Sequence, residues 1–88
     1  MESRANFFTN RGDSYQFRGD LGAALDDYNA ALRLDPKFAL AYNNRAAVHL
    51  HLKHYDKAWA DLRRCRELGG VPPAGLVEAL VKASGRSE

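Results

Sequence analysis

Residues Phe8–Pro36, FTNRGDSYQFRGDLGAALDDYNAALRLDP, decide the fold. They hold Phe8, Gly12 and Tyr15, then Ala24, Tyr28 and Ala31, and close on Pro36. Small residues stand where two helices would have to touch, and an aromatic or leucine stands one or two turns away. Shifted by 34 positions, the sequence lies over itself. Ala5 meets Ala39, Asn10 meets Asn44, Arg11 meets Arg45, Ala24 meets Ala58, Asp27 meets Asp61, and Leu34 meets Leu68. Phe8 meets Tyr42, so FFTNRG and AYNNRA are two copies of one segment. The second copy is looser, with Ala46 for Gly12, His49 for Tyr15, Leu62 for Tyr28, Cys65 for Ala31 and Gly70 for Pro36.

The pattern resembles the tetratricopeptide repeat, a helix–turn–helix of 34 residues reading aromatic-x2-Leu-Gly-x2-Tyr, then Ala-x3-Phe, then Pro. Gly12, Tyr15, Ala24 and Pro36 match it, Phe8 and Tyr28 are aromatic substitutes, and Arg11 replaces the usual Leu. The resemblance covers about three quarters of the chain. It implies an all-α fold, a fragment of a right-handed solenoid with two antiparallel helix pairs and a capping helix. Repeat 1 is expected over about residues 5–38, repeat 2 over 39–72, the cap over 73–84, and a frayed tail over 85–88, all in one domain. Gly12 should touch Ala24, and Ala46 should touch Ala58.

Local signals place the helix ends. Ser3 suits the N-cap of a first helix running to Arg18, which Gly19 ends by tolerating a positive φ. Asp20 suits the cap of a second helix, whose stripe is Leu21, Ala24, Leu25, Tyr28 and Leu32. Asp35-Pro36 reads as N-cap and first residue of a third helix reaching Leu52. Lys53 or His54 marks the next turn, and a fourth helix spans about Tyr55 to Leu68, with Ala58, Trp59, Leu62 and Cys65 inward. After Gly69-Gly70, Pro72-Pro73 opens a shorter helix with Leu76, Val77, Leu80 and Val81 on one face and Glu78 and Lys82 on the other. Stacked repeats leave an open apolar end, so that helix reads as the cap, with Trp59 buried beneath it or against the preceding repeat. The leading Met and a tail expected to fray read as the two ends of a whole chain.

Composition narrows the function classes. A net charge of +2 over 88 residues argues for neither nucleic acid nor membrane. No stretch approaches the roughly 18 apolar residues of a membrane span, and the N-terminus lacks a signal-peptide core. The single cysteine, Cys65, allows no internal disulfide and fits a reducing, cytoplasmic setting. No Gly-rich phosphate loop, activated nucleophile or carboxylate pair is present, so no catalytic residue and no cofactor is assigned.

Other constellations read as structural. His49, His51 and His54 lack a completing Cys or carboxylate, so they read as surface or packing residues rather than metal ligands. Cys65 occupies a slot for a small buried residue. Arg63, Arg64 and Arg66 read as a solvated outer face, with weak acidic-partner or RNA contact as the alternative. Arg11 and Arg45, at one position of each repeat, can pack their stems and reach Asp27 or Asp61 with their guanidinium groups.

The resemblance also implies a site. The first helix of each pair lines an inner, concave wall, which maps here to Asn6, Thr9, Asp13, Gln16 and Phe17, then Leu40, Asn43, Asn44, Ala47, Leu50 and His51. Asn, Gln and Thr side chains can serve a peptide backbone as donors and acceptors. The expected function is a non-catalytic module that binds a peptide or a partner segment in that groove, with Asn44 as its central anchor. The alternative is self-association through Phe17, Leu40 and Leu50, because about three repeats are usually needed for stability. Some family members clamp a chaperone's C-terminal carboxylate with Lys and Asn. Asn44 matches one clamp position, but Thr9 and Asp13 stand where Lys and Asn are needed, and Asp13 would repel the carboxylate.

Overall fold

The computed structural model describes residues 3–87, and its elements are five helices: α1 (Arg4–Arg18), α2 (Leu21–Leu34), α3 (Ala39–His51), α4 (Tyr55–Glu67) and α5 (Ala74–Ser84). Among the described residues the fold is all-α. α1 packs chiefly on α2 and α3 on α4; α3 also meets α2 and α1, and α5 closes over α4 and α3. The result measures 40 × 28 × 18 Å.

The helix ends repeat one device. α1 ends at Gly19 (φ 86), where the Gly19 and Asp20 N–H groups donate to the Gln16 and Tyr15 carbonyls. α4 ends in the same way at Gly69 (φ 86), with Gly69 and Gly70 donating to Arg66 and Cys65. α3 ends so at Lys53 (φ 62), whose N–H donates to Leu50 while that of His54 donates to His49. A left-handed residue lets the chain turn back while satisfying the last carbonyls, and Lys53 adopts it without glycine's freedom. At the other end of α1, Ser3 Oγ accepts from the Asn6 N–H at 3.1 Å, the expected cap.

Two expectations need correction. Asp35 does not cap α3. It ends α2, its carboxylate accepts the Lys37 N–H at 3.1 Å, and its carbonyl accepts that of Phe38, so Pro36-Lys37 form a turn and α3 begins at Ala39. Asp20 holds the expected N-cap position of α2, with its carbonyl accepting the Ala24 N–H, but its side chain makes no capping bond and faces Arg18 at 3.4 Å. Gly85 caps α5 with its N–H on Val81, and Arg86 Nη1 lies 2.7 Å from Asp56 Oδ1; Glu88 lies outside the described residues.

The buried side chains form three patches. Ala5, Ala31, Leu32 and Ala41 join the N-terminal halves of α1 and α3 to the end of α2. Ala24, Tyr28 and Val48 join the two repeats. Ala46, Ala58, Trp59, Leu62 and Leu80 join α3, α4 and α5, with Leu76, Val77 and Val81 packed against them. Trp59 is 1% exposed, and its Nε1 donates to Ser84 Oγ at 3.1 Å. Burying an indole while satisfying its N–H makes α5 part of the core. Cys65 is buried too, which raises its thiol pKa, and a Cβ on Gly70 would come within 2.6 Å of its sulfur.

Candidate functional site: the wall of α1 and α3

Each repeat holds its two helices with a matched ion pair. Arg11 Nε and Nη2 donate to the two Asp27 carboxylate oxygens at 2.8 and 2.9 Å. Arg45 Nε and Nη2 donate to Asp61 at 2.8 and 2.7 Å. These are fork-to-fork contacts from the first helix to the second, which explains why an arginine replaces an apolar residue twice. Arg45 Nη1 also donates to Asn29 Oδ1 of α2 at 2.9 Å, tying repeat 2 to repeat 1. Arg45, Asn29, Asp61, His49 and Lys57 line a depression of about 410 Å³ between α2 and α4, away from the expected wall. Its arginine and Asp61 already satisfy each other.

The α1–α3 wall is organised by a residue from behind it. Tyr28 of α2 is fully buried, and its hydroxyl lies 2.6 Å from Asp13 Oδ1 and 2.9 Å from Gln16 Oε1. One hydroxyl proton serves one acceptor, and the carboxylate takes it; the Gln16 contact becomes a hydrogen bond once its amide is turned to donate. Burial first, then the bond to Asp13, pushes the Tyr28 pKa far above its ordinary value, so the phenol remains a donor. Asp13 Oδ1 also accepts from Asn44 Nδ2 of α3 at 2.8 Å. Asp13 is therefore the junction of α1, α2 and α3.

The other wall positions divide by access. Phe17 is 93% exposed and Leu40 48% exposed; His51 is exposed, and Asn6, Ala47 and Leu50 are half-buried. Thr9 and Asn43 correct the expected wall, because both are buried. Thr9 Oγ1 donates to the Ala5 carbonyl at 2.9 Å, while Asn43 Oδ1 has no partner among the described residues. A helical stripe of polar residues does not say which of them a neighbouring helix covers. Asn44 is half-buried on the wall, with one amide hydrogen committed to Asp13.

Tyr28 was missing from the sequence-derived site. Its signal lay in the repeat comparison: Gly12, Asp13, Gln16 and Tyr28 are replaced together by Ala46, Ala47, Leu50 and Leu62. Of the histidines, His49 is buried with Nε2 3.8 Å from Asp61, and His51 and His54 are exposed. Among the described residues no three His, Cys, Asp or Glu side chains converge as a metal group. No described helix is long and apolar enough to cross a membrane.

Two stacked helix pairs, each tied by an Arg–Asp fork, with a fifth helix closing the second pair, define a helical-repeat module. Comparison with known proteins places it: the TPR repeat profile matches residues 12–53. Dynein axonemal assembly factor 4 of Rattus norvegicus is 37% identical over 82 residues, 93% of this chain and 20% of that protein. Tetratricopeptide repeat protein 6 of Homo sapiens is 36% identical over 58 residues, 66% of this chain and 11% of that protein. Hsp70-Hsp90 organizing protein 2 of Arabidopsis thaliana is 33% identical over 58 residues, 66% of this chain and 10% of that protein. The chain belongs to the tetratricopeptide-repeat family. It spans a fifth or less of the length of these relatives. No solved structure gives a significant match.

Proposed function

We propose that the α1–α3 wall binds an extended segment of a protein partner. The observation that carries this reading is the Tyr28–Asp13–Asn44 junction, which fixes polar groups of both repeats beside the exposed Phe17 and Leu40. Ordering those groups before a ligand arrives lowers the entropic cost of binding. Phe17 supplies the apolar contact, and the accessible edges of Asp13 and Asn44 supply hydrogen bonds. A ligand ending in a carboxylate at this point is disfavoured, because the junction is itself a carboxylate. No step here calls for catalysis, and the wall acts by holding its partner.

A displayed peptide library selected on the whole chain tests the reading. Selected peptides should lose about 1–3 kcal/mol of binding on Phe17→Ala, the scale of a well-packed aromatic contact, with an unchanged melting temperature. Arg64→Glu on α4 should have no effect. Binding lost at Arg64 and kept at Phe17 moves the site off the wall. Phe17 and Leu40 would also suit a second copy of the chain, and a mass in solution that rises with concentration and falls on Phe17→Ala selects that alternative.

A further inference from the structure

Repeat 2 shows what covers the N-terminal side of a helix pair. On α3, Ala41 is buried with Ala5, Ala31 and Leu32, and Val48 with Ala24 and Tyr28. Phe38 and Leu52 pack on the same patches, and Arg45 reaches Asn29 of α2. Thirty-four residues earlier those positions carry Phe7, Ser14, Arg4, Arg18 and Arg11. Within residues 3–87 no helix lies on that side. Phe7 is 53% exposed there, edge-on to Phe8 and 5.2 Å from the Arg11 guanidinium. Arg11 repeats both bonds that Arg45 makes to its aspartate, but among the described residues it has no counterpart of Asn29. Beside it a groove of about 230 Å³ is lined by Arg4, Phe8, Ala30, Arg33 and Leu34. Among the described residues no carboxylate lines this groove, and neither Arg4 nor Arg33 has an ion-pair partner.

We propose that this face docks an acidic amphipathic helix of a protein partner, with apolar side chains on Phe7, Phe8 and Leu34 and carboxylates facing Arg4, Arg11 and Arg33. The occupant is a helix because the equivalent face of repeat 2 is covered chiefly by α2. It is acidic because Arg4 and Arg33 line the groove and Arg11 lies against Phe7 and Phe8, and of these three, among the described residues, only Arg11 has a carboxylate partner. Two copies meeting through this face would bring these arginines together. At the other end α5 offers both Glu78 and Lys82, so stacking end to end lacks charge complementarity. A polar terminal repeat that merely aids solubility explains Ser14 and Arg18. It leaves unexplained an exposed Phe7 and a 47% exposed Leu34 beside arginines that have no ion pair among the described residues.

The test uses the whole chain and a labelled synthetic helix of about 20 residues, long enough to be helical, with a leucine stripe flanked by glutamates. Its twin carries lysines in place of the glutamates. The acidic helix should bind at low salt, and the twin should bind about tenfold or more weakly, as electrostatic complementarity requires. Phe7→Ser, and separately the pair Arg4→Glu and Arg33→Glu, should each weaken the acidic helix about tenfold without shifting the melting temperature, since these groups are exposed. Phe17→Ala on the α1–α3 wall should leave this binding intact, which separates its outcome from that of the wall reading. Equal binding of the twins, no binding of the acidic helix, or insensitivity to both sets of substitutions overturns the proposal. So does self-association abolished by Phe7→Ser, or a single-stranded oligonucleotide held through Arg4 and Arg33 while the acidic helix is not.

Discussion

The two repeats share a fastener and differ in filling. Arg11–Asp27 and Arg45–Asp61 have the same geometry, so the fork is indifferent to what lies beside it. The filling is not interchangeable piece by piece. In repeat 1 a tyrosine ring lies over Gly12, where an added Cβ would fall 2.8 Å from Tyr28 Cε1, and its hydroxyl needs Asp13 and Gln16. In repeat 2 the corresponding Leu62 has no hydroxyl to satisfy, and Ala46, Ala47 and Leu50 take those positions. A close contact and a polar need thus select four residues as a set. One repeat has a polar junction on its wall, and the other has an apolar core that continues into α5.

The largest effect should come from breaking that continuation. Removing residues 72–88 strips Leu80 and its neighbours from Trp59 and Leu62. Each fully buried side chain lost is worth about 1.5–3 kcal/mol, against a total stability of roughly 5–15 kcal/mol. The truncated chain should unfold or aggregate, seen as lost helical circular dichroism; a monomer with an unchanged melting temperature would show that α5 is no cap.

Next come the two fasteners. The Asp61 carboxylate faces an Arg45 side chain that is only 23% exposed, whereas Arg11 is 46% exposed. Asp61→Ala should cost about 2–3 kcal/mol by stranding a mostly buried cation, and Asp27→Ala should cost less because water screens Arg11. Denaturant midpoints in the reverse order would mean that burial does not distinguish the pairs.

Gly12→Ala should cost about 1–3 kcal/mol by overpacking the Tyr28 ring. Joined to Tyr28→Leu, which copies repeat 2, most of that cost should vanish. A double-mutant cycle with no coupling would remove the contact from the explanation. Lys53 tests the shared helix end: Lys53→Gly, which copies Gly19, should raise stability by about 0.5–1 kcal/mol by relieving a left-handed lysine. A lower melting temperature would mean the lysine side chain contributes more than the strain removes.

The smallest effect concerns His49, which stands where repeat 1 has Tyr15. Burial lowers its pKa, outweighing the attraction of Asp61, while Arg45, His54 and Lys57 lower it further. The unfolded chain then takes up a proton more readily than the folded one. Its contribution to stability is present above about pH 6.5 and is lost as pH falls below it. Melting temperatures should decline from pH 7.5 to 5.5, and His49→Tyr should flatten that decline; an unchanged slope would assign it to other groups.

The helices, their pairing, the Arg–Asp forks and the buried Trp59 were legible in the sequence, because they follow from short-range spacing and from a period that occurs twice. Gly19 and Gly69 were legible as helix ends for the same local reason. The site was legible only as a stripe of positions on two helices. Whether Thr9 and Asn43 face solvent depends on which neighbour covers them, and helical periodicity is silent on that. Asn44 looked like a free anchor until the packing of α3 on α1 brought its amide to Asp13. Asp35 could cap a helix starting at Pro36 or close a turn over Pro36-Lys37, and the approach of α3 to α1 and α2 accompanies the turn. Tyr28 reached the wall from α2 because Gly12 leaves room for its ring. Such contacts join residues far apart in the chain, and their distances are set by how the helices stack.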